Sequence, residues 1–118
     1  MSRSSSTSPV FSKRLKQARL RSRLTQEQLG IAAGIDEFSA SARVNQYEKG
    51  KHTPKLQMGQ RLAKALHVPT SFLYEEDDLL ASLLAIAARL PREKRKALLK
   101  SAEALIQVSL STSKASNS

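Results

Sequence analysis

The chain has 118 residues, no cysteine, 40% apolar residues but only 4% aromatic ones, and a formal charge of +10 at neutral pH. That length suits one small domain plus an appendage. The missing cysteines exclude disulfides and thiolate metal sites, and neither a secretion signal nor an apolar run near the ~20 residues of a membrane span is visible.

Leu and Ala carry most of the apolar content, which favours helices over sheets. Residues 1–8 and 111–118 are Ser-rich without apolar periodicity and read as disordered tails. Ser8 is a candidate cap for a helix with Pro9 in its first position, where a missing N–H costs nothing. Phe11, Leu15 and Ala18 then recur at helical spacing, with Lys13, Arg14, Lys16 and Arg19 on the remaining surface. Thr25 and Gln28 form a capping box for a second helix, whose apolar face is Leu29, Ala32 and Ala33 and whose end is Gly34. A turn and a third short helix run on to Gly50. Thr53-Pro54 repeats the cap-plus-proline start, followed by a stripe of Leu56, Leu62, Ala63 and Leu66 expected to be buried. Pro69 breaks that run, and TSFLY reads as a short helical turn. Four acids, Glu75 to Asp78, suit the N-terminus of a helix bearing Leu79, Leu80, Leu83, Leu84, Ala87 and Leu90. Pro91 starts the last helix, striped by Leu98, Leu99, Ala102, Leu105 and Ile106. No segment alternates as a strand does. The expectation is an all-α chain of about seven helices, with one domain over 9–74 and a helical pair over 75–110.

Charge adds a direction. Residues 1–66 hold 13 basic against four acidic residues, while residues 67–118 hold seven against six, so the first part is the expected polyanion binder. Two short helices joined by a turn form a candidate helix-turn-helix, in which the first crosses the phosphate backbone and the second enters the major groove. Ser39, Ala40, Ser41 and Ala42 are small enough to let a backbone approach closely. Arg43 and Gln46 lie three apart on one face, and Arg suits guanine as Gln suits adenine. Val44 and Tyr47 fall on the other side, spaced to pack inward.

LTQEQLGIAAGI and VNQYEKGKHTPKLQMGQRLAKALHV together resemble the Xre/Cro-repressor type of helix-turn-helix across roughly residues 10 to 74. The resemblance implies a five-helix, lambda-repressor-like domain that binds double-stranded operator DNA, usually as a dimer on a palindromic site, in the bacterial cytoplasm and associated with the nucleoid. Carried over by position, it implies base contacts from Ser41, Ala42, Arg43 and Gln46. It also implies phosphate contacts from Gln26 at the start of the second helix, from Asn45, and from Lys49, Lys51 and His52 in the following loop. Glu48 would pair with Arg14 or Arg19. One departure is that the family has a few residues fewer between the turn glycine and the position of Val44. The extra residues lie in DEFSASA, read as a lengthened turn over 34–40 before a recognition helix over 41–50. In the alternative they add a turn to that helix and bring Phe38 and Ser39 toward the DNA. Asp36 and Glu37 are expected to face outward, since phosphates would repel them.

His52 and His67 have no carboxylate at ligand spacing, so no metal site is expected; no Gly-rich phosphate loop or nucleophile motif points to an enzyme or a cofactor. For Lys13, Lys16, Arg21 and Arg23, solvation is as good a reading as phosphate contact. Leu79, Leu80, Leu83, Leu84, Leu90, Leu98 and Leu105 offer more apolar surface than one partner helix needs, so they are the expected homodimer interface. The reading is a sequence-specific transcriptional regulator, a repressor by expectation. Two rivals stay open. One is an antitoxin whose C-terminal helices also bind a protein partner, and the other is a basic helical RNA-binding or adaptor protein.

Overall fold

Phe11, Leu15 and Ala18 come round once per turn, and all three are buried on the inner face of the first helix. The computed structural model describes residues 9–116. In it α1 (Pro9–Arg21) is followed by α2 (Gln26–Ala32), α3 (Glu37–Glu48), α4 (Leu56–Leu66), a 3-10 turn (Thr70–Tyr74), α5 (Asp78–Arg89) and α6 (Arg92–Ser116). No strand occurs among the described residues, and no described helix is long and apolar enough to cross a membrane. One core joins α1 to α5, built from Phe11 and Leu15, Leu29 and Ile35, Val44 and Tyr47, Leu62 and Leu66, Phe72 and Leu73, and Ala81 and Ala85. Phe11 also packs its ring against Tyr74, with centroids 5.3 Å apart.

Each of the first four helices ends in the same way. A residue at the cap or just after it turns left-handed, and its own N–H and the one that follows reach back to carbonyls that would otherwise lack partners. At the end of α2, Gly34 has φ +90°, Ile35 N donates to Gly30 O at 2.9 Å, and Gly34 N donates to Ile31 O at 2.9 Å. Gly50 (φ +74°) closes α3 with the corresponding bonds from Lys51 N to Gln46 O and from Gly50 N to Tyr47 O. Arg23 (φ 60°) and His67 (φ 58°) do the same for α1 and α4 without the freedom that glycine has there.

Several boundaries differ from those expected. α3 begins at Glu37, so the extra residues lengthen the recognition helix by a turn and do not form a longer loop. The cause is a cap: Asp36 Oδ2 accepts from Phe38 N at 3.1 Å, which starts the helix as soon as the chain leaves Ile35. α4 starts at Leu56 rather than at Pro54, and the residue in the cap position is Lys55, which makes no side-chain cap bond. Pro54 is buried ahead of the helix instead. Leu56 is 63% exposed and Ala32 is exposed, so neither belongs to the apolar stripe drawn for it. At the far end α6 runs to Ser116, well into the segment expected to be a tail, since nothing after Leu110 breaks a helix as Gly or Pro would. The expected tail over 1–8 and the cap at Ser8 lie outside the described residues.

Arg14 joins the C-terminal helices to the rest. Its side chain is 3% exposed; Nε donates to Glu75 O at 2.9 Å, while Nη2 donates to Glu76 O at 3.3 Å and to Asp78 Oδ1 at 2.9 Å. Its guanidinium also lies over the Phe72 ring, 5.8 Å from the centroid. A buried cation needs this many partners, because water no longer solvates it. Arg14 on α1 therefore holds the start of α5 directly.

Candidate nucleic-acid interface

The helix pair α2–α3 owes its close approach to two small residues. A Cβ on Gly30 would stand 2.6 Å from the Ala40 Cβ, so the missing methyl is what lets α3 lie against α2. Ala40, expected among the residues that ease approach to DNA, is instead fully buried in this contact. α2 is started by the expected capping box, with Thr25 Oγ1 accepting from Gln28 N at 3.0 Å and Thr25 N donating to Gln28 Oε1 at 2.9 Å. Behind α3, Ser12 Oγ donates to Tyr47 O at 2.9 Å and ties the helix end to α1.

A polar belt crosses both helices. Glu48 is 3% exposed and is gripped by Arg19, with Nε to Oε2 at 2.6 Å and Nη2 to Oε1 at 3.1 Å; of its two expected partners, Arg19 holds it and Arg14 does not. Arg19 Nη1 also donates to Leu24 O at 2.9 Å. Gln26 Nε2 then donates to Glu48 Oε1 and to Asn45 Oδ1, both at 3.1 Å. Both amide hydrogens of Gln26 are thereby engaged. The donor that residue 26 still offers outward is its main-chain N–H at the start of α2. Asn45 is bonded only through its oxygen and keeps an amide NH2 to donate.

Opposite the buried Ala40, Val44 and Tyr47, α3 turns an outer face to solvent. Ser41, Ala42 and Arg43 are exposed there, and Gln46 is half-buried. Lys49, Lys51 and His52 are all exposed beyond the helix end. Arg43 and Gln46 share a shallow concavity of about 460 Å³ with His52, Lys55, Gln57 and Arg61. Lys55 and Arg61 were not anticipated, although their charges were visible; only the packing of α4 beside α3 brings them to the same concavity. The outer face thus carries Phe38 and then the small Ser41 and Ala42 in its first half, and becomes cationic toward its end. Asp36 and Glu37 are exposed, and the Asp36 carboxylate turns back onto its own helix.

The expected interface leucines divide. Leu80, Leu83, Leu84 and Leu98 come together with Ala87, Leu99 and Ala102 in an open cleft of about 480 Å³ between α5 and α6, with Arg95 at its rim. Leu79 and Leu105 are exposed outside it, and Leu90 is half-buried at the junction of the two helices. Among the described residues, no three His, Asp or Glu side chains come together as a metal would need.

A family model described as a helix-turn-helix domain matches residues 10–71, more than half of the chain. The chain belongs to this helix-turn-helix family. Among solved structures it is similar to the crystal structure of the transcriptional regulator BswR, at 43% identity and a TM-score of 0.76, with 82% of this chain and 96% of that one covered. No curated protein matches.

Proposed function

We propose that the chain is a DNA-binding transcriptional regulator which reads a palindromic operator as a homodimer and represses from it. The observation that carries this is the outer face of α3: the helix is seated against α2 through Ala40 and Gly30, and outward it presents the small Ser41 and Ala42 and then Arg43 and Gln46 beside Lys49, Lys51, Lys55 and Arg61. That order suits a helix tip set into the major groove, with cations meeting the phosphates that flank it. The likeness to a transcriptional regulator at 43% identity supports the same reading.

In this reading Ser41, Ala42, Arg43 and Gln46 meet base edges. Asn45, Lys49, Lys51, His52 and the main-chain N–H of Gln26 meet phosphates. Two features support the dimer: the apolar cleft between α5 and α6, and further along α6 Leu105, Ile106, Val108 and Leu110, each about 60% exposed or more on the single chain. Selection of bound duplexes from a random pool tests the proposal. Enrichment of a two-fold symmetric site, with half-sites about 10 base pairs apart or a multiple of that, supports it. No enriched duplex, or equal affinity for bulk RNA, would sink it. A reporter driven by the selected site tests repression: its output should rise when the chain is removed.

A further inference from the structure

Phe38 has the most exposed of the large apolar side chains described, at 92%. A lone exposed apolar residue is ordinary, so exposure by itself says little. Its surroundings say more. Phe38 lies in the first turn of α3, with its N–H held by Asp36 at 3.1 Å, and α3 is fixed in rotation by Ala40 seated against Gly30. At about 100° per residue, the direction opposite Ala40, Val44 and Tyr47 carries Phe38, Ala42 and Asn45. Apart from Glu37, which precedes it, its neighbours along the helix surface are the small Ser39, Ser41 and Ala42, and at 92% exposure its ring stands clear of them.

A phenyl ring cannot donate or accept an ordinary hydrogen bond. On base edges in the major groove the one apolar group it can meet is the 5-methyl of thymine. Residues at the N-terminal end of a recognition helix are those that contact base edges. The Asp36 carboxylate turns back onto its own helix, where it accepts from Phe38 N, so the ring and not that charge projects from this end.

We propose that Phe38 reads a pyrimidine 5-methyl group, so that the extra turn of α3 adds one base position to the recognised half-site; this rests on the DNA-binding reading above. The same methyl on cytosine should be accepted at that position, because the ring touches the methyl and not the groups that pair.

The test uses the full chain and its selected duplex. Each thymine is replaced in turn by uracil, which deletes the methyl and keeps the pairing, and affinities are measured for the wild type and for Phe38→Ala. The substitution removes a side chain that supports no packing, so the variant is expected to fold normally. One thymine per half-site should matter, with its replacement weakening the wild type about fourfold and leaving Phe38→Ala unchanged. A wild type indifferent to every uracil, or equal uracil effects in both proteins, would overturn the proposal. Phe38→Ala binding every duplex as the wild type does would also overturn it. An enriched duplex without methyl dependence removes only this inference, whereas no enriched duplex removes the regulator reading with it.

Discussion

Arg43 and Gln46 differ in burial, and this sets what each side chain is free to do. Exposed Arg43 has its whole guanidinium fork available for a guanine edge. Arg43→Ala should therefore weaken binding to the selected duplex by about 1–3 kcal/mol and barely alter binding to random duplex, measured by titration at fixed salt. Arg19 answers a different need. Glu48 is almost wholly buried, and Arg19→Ala would leave its carboxylate facing Gln26 alone. Loss of one partner of a buried pair is worth about 3 kcal/mol, which denaturant unfolding should read as a lowered midpoint with the slope kept. Asp78 gives a pH dependence. Its hydrogen bond from Arg14, and then that from Lys13, hold its carboxyl below the usual value. A lowered carboxyl stabilises the fold at pH above its unfolded value of about 4, and that contribution fades as pH falls through the lower folded value. The gap in thermal midpoint between wild type and Asp78→Asn should be constant near neutral pH and close in acid.

At the scale of elements the α2–α3 contact is the most demanding. Gly30→Ala brings a methyl to within 2.6 Å of the Ala40 Cβ, and neither helix can yield without moving the outer face of α3. A loss of about 1–3 kcal/mol in stability is expected, with a further fall in affinity for the selected duplex beyond what unfolding accounts for. Unchanged affinity in the folded variant would show that the pair tolerates repacking. The elements were largely legible in the sequence, because Phe11, Leu15, Leu29, Leu62 and Leu66 recur at helical spacing and all are buried. The pairing of Arg19 with Glu48 was half-legible, as one of two candidates. Other features were hidden for physical reasons. Arg23 and His67 close helices in a conformation that composition assigns to glycine. Asp36 reads as a turn residue, yet its cap begins α3 a turn early. Ala40 looks like a concession to DNA, but only the position of Gly30 across the helix pair reveals it as a packing residue.

For the molecule as a whole, the proposed dimer puts the weight of association on the outer leucines. Leu83 lines the cleft between α5 and α6 and is 48% exposed, so Leu83→Asp should leave the single chain folded. Sedimentation should then show monomer where the wild type shows dimer, and binding to a two-half-site duplex should fall toward that of one half-site. A variant that still sediments as the wild type would move the interface elsewhere. Arg14 bears on the mechanics of such an assembly. It clamps the start of α5 from one side while the aromatic face of Phe72 backs it from another, so α5 turns as one piece with α1. At the other end of α5, Leu90 and Pro91 interrupt the helix before α6. Should the long final helix bend relative to the reading head, the bend is expected at this break, since Arg14 ties the other end of α5 down.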